Sequence, residues 1–126
     1  MRKILSLAVF AAPIMAFASP ASAEHWDVIG FKLKDACSTA KYMSIVKDFN
    51  EWGAQHGYQA KIGWPLQSEN FEISYWVGTS ANAAAFGAAW DTWRDALADP
   101  KTTPAKLQAR FSECSENVVR NSYDAF

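Results

Sequence analysis

The stretch Phe71-Glu72-Ile73-Ser74-Tyr75-Trp76-Val77-Gly78 decides how the chain is read. Phe71, Ile73, Tyr75 and Val77 alternate with Glu72, Ser74 and Trp76, the period-two pattern of a strand with one face on a core. Immediately upstream, Tyr58, Ala60, Ile62, Trp64 and Leu66 alternate in the same way until Pro65 interrupts them, and the polar turn Gln67 to Asn70 joins the two runs into a hairpin. Further out, Ile29, Phe31 and Leu33 alternate with Val28, Gly30 and Lys32, which predicts a first strand over 26–33. Between that strand and the hairpin, Ser38 or Thr39 offers an N-cap. Ala40, Met43, Val46, Phe49 and Gly53 follow at helical spacing, and the helix is expected to end near Gly57.

Downstream of Gly78, Ser80 is placed to cap an Ala-rich helix in which Phe86, Trp90, Trp93 and Leu97 form an inward stripe, stopped by Asp99-Pro100. Thr103 then caps a shorter helix opened by Pro104, with Leu107 and Phe111 inward, and the tail Ser115 to Phe126 reads as a last strand. Strand, helix, strand, strand, helix, strand is the order of the split βαβ arrangement. The predicted fold class is therefore α+β: a ferredoxin-like βαββαβ domain with an antiparallel four-stranded sheet, its helices on one face, and an extra short helix before the last strand. With 126 residues and no repeat or linker, one domain over 24–126 is expected.

Residues 1–23 read as a secretory signal peptide: Arg2 and Lys3, an apolar run from Ile4 to Ala18, and small residues at Ala21 and Ala23 before Glu24. The expected location is periplasmic or secreted, with no membrane span after cleavage, because no later segment is apolar over the length of a bilayer. Cleavage removes two bases and no acid from a chain of formal charge −1. The mildly acidic product has no basic cluster, so nucleic-acid binding is not expected. Export also changes the meaning of Cys37 and Cys114, because two cysteines in an oxidising compartment tend to pair, the alternative being two buried free thiols. In a ferredoxin-like sheet the first and last strands lie side by side and antiparallel. The end of the first and the start of the last then meet at one edge, where these cysteines fall.

Two neighbouring strands are expected to point their apolar sets at Phe49, Trp90 and Trp93. Trp26, Val28, Gly30, Lys32, Lys61, Gly63, Glu72, Ser74 and Trp76 are left on the opposite face, which is too apolar to be an ordinary solvent surface. The order of elements, the aromatic strand Phe71 to Gly78 and the Ala-rich helix with Trp90 and Trp93 together resemble the dimeric α+β barrel superfamily. That resemblance implies a homodimer with two sheets packed face to face. It also implies a range of activities, among them cofactor-independent monooxygenases, haem-degrading enzymes, isomerases and proteins without a known reaction. Haem-using members take a His from the helix region after the third strand, whereas this chain has no His beyond His56. No cofactor is expected.

Only His25 and His56 are available for imidazole chemistry, with no Cys or carboxylate at ligand spacing, so no metal site is expected. His25 becomes the second residue after cleavage, either a frayed terminus or half of a chelate with the new α-amino group. His56 lies at a helix exit, where capping competes with catalysis. No GxSxG, P-loop or GxGxxG pattern occurs. Trp90 and Trp93 are read as core. Candidate ligand contacts are His56, Trp64, Tyr75, Trp76, Arg120 and Tyr123, with dimer packing as the competing use of the surface side chains. The leading expectation is an exported homodimeric domain that binds a small apolar or aromatic ligand or acts as an accessory protein. The alternatives are a cofactor-independent monooxygenase or isomerase with His56, Tyr75 or Trp76 beside the substrate, and a structural subunit of an envelope complex.

Overall fold

A computed structural model describes residues 22–126, so all but the last two residues of the expected signal peptide lie outside the described residues. The elements follow in the order β1 (Glu24–Leu33), α1 (Thr39–Ala54), β2 (Gln59–Gly63), β3 (Ser74–Ser80), α2 (Ala83–Ala96), α3 (Thr103–Cys114) and β4 (Ser115–Ala125). The four strands form one antiparallel sheet in the order β2-β3-β1-β4, with the three helices on one face. This is the ferredoxin-like arrangement, with α3 as the additional helix before the last strand.

Ser38 caps α1 by accepting the Lys41 backbone N–H at 3.1 Å. The buried stripe of α1 is Tyr42, Ile45, Val46, Phe49 and Gly53. Met43 and Ala40, expected inward, are exposed instead, because Tyr42 stacks on Phe31 of β1 with ring centroids 4.5 Å apart and fixes the rotation of the first turns. After α1, Gly57 takes a positive φ of 68° and turns the chain toward β2, a conformation in which a residue without Cβ is favoured. The cap of α2 is Asn82 and that of α3 is Thr102, each accepting an N–H three residues on. Ser80 cannot cap α2 because it is the buried last residue of β3.

The phase of β3 differs from the expected one. Trp76 pairs with Ile29 and lies under the helices, 7% exposed, whereas Tyr75 and Val77 pair with Gly30 and Val28 on the open face. Packing explains the inversion: the Trp76 ring meets Phe49 at 4.8 Å and Phe111 at 5.6 Å. The Tyr58 ring occupies the space over Gly78, where any Cβ would overlap its phenol group. Phe71 and Glu72 fall outside the strand and are exposed. β1 keeps its expected phase, with Phe31 fully buried and Trp26 on the open side at 39% exposure.

Cys37 and Cys114 form a disulfide that joins the segment before α1 to the last residue of α3. Beside it the Lys34 N–H donates to the Cys114 carbonyl at 2.9 Å, so the exit of β1 and the entry of β4 are held both covalently and by backbone. No helix among the described residues is long and apolar enough to cross a membrane.

Candidate functional site

The helix-facing phase of β1 contains an acid. Asp27 is 1% exposed, and burying a carboxylate there is tolerable only with charge and hydrogen-bond partners. Arg120 of β4 supplies the charge through a side-on pair of bonds, Nε to Oδ1 at 2.8 Å and Nη2 to Oδ2 at 2.7 Å. Tyr58, just before β2, donates its phenol O–H to Oδ2 at 3.0 Å, and the Trp76 indole N–H donates to the Tyr58 oxygen at 2.7 Å. Every strand region thus contributes one member. Burial raises the Tyr58 pKa well above the usual phenol range, and the Asp27 charge adds to the effect. Burial pulls the Arg120 pKa down, but the hydrogen bond and charge of Asp27 outweigh it and leave the pKa raised. The Arg120 guanidinium also lies over the Trp90 ring of α2, 4.4 Å from its centroid.

Above this network a cavity of about 430 Å³ opens between the sheet and the helices. Rings of Phe49, Trp52, Phe86, Trp90, Trp93 and Phe111 form much of its wall. Its polar lining includes Gln108, Asn117 and Ser115, and among the described residues its only charged side chains are Asp27 and Arg120. Such a site can stack a flat molecule and offer it a fixed donor. The donor is Arg120 Nη1, which has no acceptor among the described residues. No group of three His, Cys, Asp or Glu side chains that could hold a metal ion occurs among them either.

Of the residues singled out from sequence, Trp76 and Arg120 line this cavity together. His56 stands behind its wall: the imidazole stacks on the Trp52 ring at 4.1 Å, and Nδ1 lies 2.8 Å from the Trp52 carbonyl oxygen at the helix exit. Trp64 packs edge-on to Phe31 and Tyr42 and borders a separate cleft beside Lys32 and Phe71. Tyr75 and Tyr123 are on the open sheet face. His25 is not frayed. It pairs within β1 to Ser80 and Asp124, is buried, and stacks on Phe86 at 4.4 Å. Asp27, Tyr58 and Trp90 were not among the candidates. Asp27 carried a usable signal, as an acid in the same phase as Ile29, Phe31 and Leu33.

No known protein family matches the sequence, and no curated protein matches it. Solved structures do match the fold. SnoaB, a cofactor-independent oxygenase from Streptomyces nogalater, superposes with a TM-score of 0.55 at 15% identity over 83% of this chain and 95% of its own. A conserved protein from Methanosarcina mazei Go1 gives 0.57 at 15% identity over 84% and 96%. The hydroxynitrile lyase of Passiflora edulis gives 0.54 at 16% identity over 85% and 96%. The arrangement these structures share with the chain is the ferredoxin-like α+β fold described above. At such identities the likeness is one of backbone arrangement, and a fold alone does not assign a reaction.

Proposed function

We propose that the mature chain is an exported, homodimeric binding or accessory domain that takes a flat, largely apolar ligand between its sheet and its helices. The observation that carries this reading is the aromatic cavity with a pre-built Asp27, Arg120 and Tyr58 network in its floor. A cavity of this kind already holds its polar group in place, so binding costs little reorganisation. Trp76 and Arg120 are assigned as ligand contacts, and His56 as a positioning residue that acts through Trp52. Tyr75 and Tyr123 belong to the self-pairing face, and Trp64 is assigned to its own cleft. The disulfide supports the oxidising compartment.

A cofactor-independent oxygenase or isomerase is the second reading, favoured by the fold shared with SnoaB. Against it, the cavity is lined by no imidazole, amine or thiol among the described residues, and Asp27 already accepts three hydrogen bonds. The lining is better suited to holding a molecule than to moving its protons.

The test uses N-phenyl-1-naphthylamine, a neutral dye that brightens in apolar surroundings. Saturable binding at one dye per chain is expected, and it should disappear when Ala89, buried in the cavity wall, is replaced by Phe in a protein whose melting is still cooperative. Non-saturable binding, or binding untouched by Ala89→Phe, removes the proposal. Mass spectrometry of the exported chain should give Glu24 as its first residue. An uncleaved chain contradicts the export assignment.

A further inference from the structure

The charge arrangement around Arg120 narrows the ligand class, an inference that rests on the cavity being the binding site. Among the described residues Arg120 is the one cation in the wall, and the buried Asp27 carboxylate already balances it. A ligand carboxylate placed on Arg120 would therefore leave the cavity with one uncompensated negative charge. Aromatic walls worsen this, because ring faces are themselves electronegative. A ligand cation fares no better: Asp27 is covered by Arg120 and Tyr58, and the Trp90 face is already taken by the guanidinium. What remains unmatched is hydrogen-bonding capacity without net charge. Nε and Nη2 are committed to Asp27, while Nη1 has no acceptor among the described residues.

We infer that the site selects an uncharged flat molecule carrying a carbonyl or amide oxygen, which docks its oxygen on Arg120 Nη1 and its ring among the tryptophans, and that it discriminates against the equivalent carboxylate. Tyr58 and Asp27 are positioning residues in this scheme, since they hold the guanidinium in one orientation and set its charge to net zero.

Three probes of closely matched shape separate the contributions: 2-acetylnaphthalene, 2-naphthoate and 2-isopropenylnaphthalene, titrated into the full mature protein and followed by the indole N–H NMR signals of Trp52, Trp90 and Trp93. The ketone is expected to bind roughly tenfold or more tighter than the hydrocarbon, the usual gain of a hydrogen bond from a charged donor. It should exceed the carboxylate by a comparable factor. Leu97→Lys adds a second cation at the cavity wall on an exposed position and should bring the carboxylate level with the ketone or ahead of it. Asp27→Asn, where it folds, should shift the order the same way. If the carboxylate binds tightest to the unaltered protein, or the ketone and hydrocarbon bind alike, the inference is wrong while the cavity remains a binding site. If none of the three shifts those indole signals, the binding reading itself falls, and the inference with it.

Discussion

At the scale of single residues, the molecule turns on how Asp27 is accommodated. Removing its charge partner by Arg120→Met leaves a carboxylate with 1% exposure and no cation, which should cost roughly 3 kcal/mol. The check is a urea midpoint at neutral pH, and a loss below about 1 kcal/mol would mean that water reaches Asp27. Tyr58→Phe is milder, about 1–3 kcal/mol, because it deprives both Asp27 and the Trp76 indole of a partner but uncovers no charge. Its more specific signature lies in alkali. The folded Tyr58 pKa is raised above the ordinary phenol value of about 10, as is that of Tyr42, chiefly by burial. A raised folded pKa contributes stability that is fully present below pH 10 and is lost as the pH climbs above it, because the unfolded phenol ionises first. Wild-type protein should therefore lose stability between pH 10 and 11, and Tyr58→Phe should lose less over the same interval. Equal slopes would remove Tyr58 as a source of the effect. Asp27 could have been found from sequence, since an acid on the inward phase of a strand requires a partner. Its partner could not, because the register that brings Arg120 opposite Ile29 is a property of the assembled sheet.

Among the elements, β3 shows why pattern alone was insufficient. Both of its phases carry large rings, Tyr75 on one and Trp76 on the other, so alternation gave no decisive reason to choose. The choice is made by small neighbours. Gly78 and Ser80 follow Trp76 on the helix side, and the space above Gly78 is filled by Tyr58 from outside the strand. A Cβ at Gly78 should therefore displace the Tyr58 phenol. Gly78→Ala is expected to cost about 2 kcal/mol through overpacking and to weaken ligand binding by loosening Arg120. A variant with unchanged stability and affinity would show that Tyr58 moves aside freely. The phase of β1, the antiparallel pairing of β2 with β3 and the order of the helices were legible, whereas the expected turn Gln67 to Asn70 is only the middle of a connection that runs from Trp64 to Ile73. The cysteine positions agreed with the topology for an independent reason, the antiparallel contact of β1 and β4. Closing a loop between residues 77 apart should stabilise by about 4–5 kcal/mol on the chain-entropy view. Reduction should accordingly lower the melting temperature markedly, and a free thiol in the unreduced protein would contradict the bridge.

For the whole molecule, the open sheet face sets the problem. Trp26, Tyr75, Val119 and Tyr123 are each 39–51% exposed there, alongside Val28 and Val77. The face expected from sequence included Trp76. With that ring buried, Tyr75 and Val77 take its place, so the apolar character survives the inversion of β3. A contiguous patch of this kind on a monomer usually marks an interface, and a two-fold axis lying parallel to the sheet, just outside this face, would bury it against its own copy with no new sequence required. In such an interface every substitution occurs twice. Val77→Lys, near the middle of the face, would bring like charges together in a desolvated setting, at a cost of several kcal/mol. Light scattering should accordingly give a dimer for the unaltered protein at micromolar concentration and a folded monomer for Val77→Lys. Leu97→Lys, on α2's side of the sheet, should leave the dimer intact. A monomeric wild type, or a dimer indifferent to Val77→Lys, would separate the cavity from self-association altogether, because the cavity is lined by residues of one chain on the opposite face.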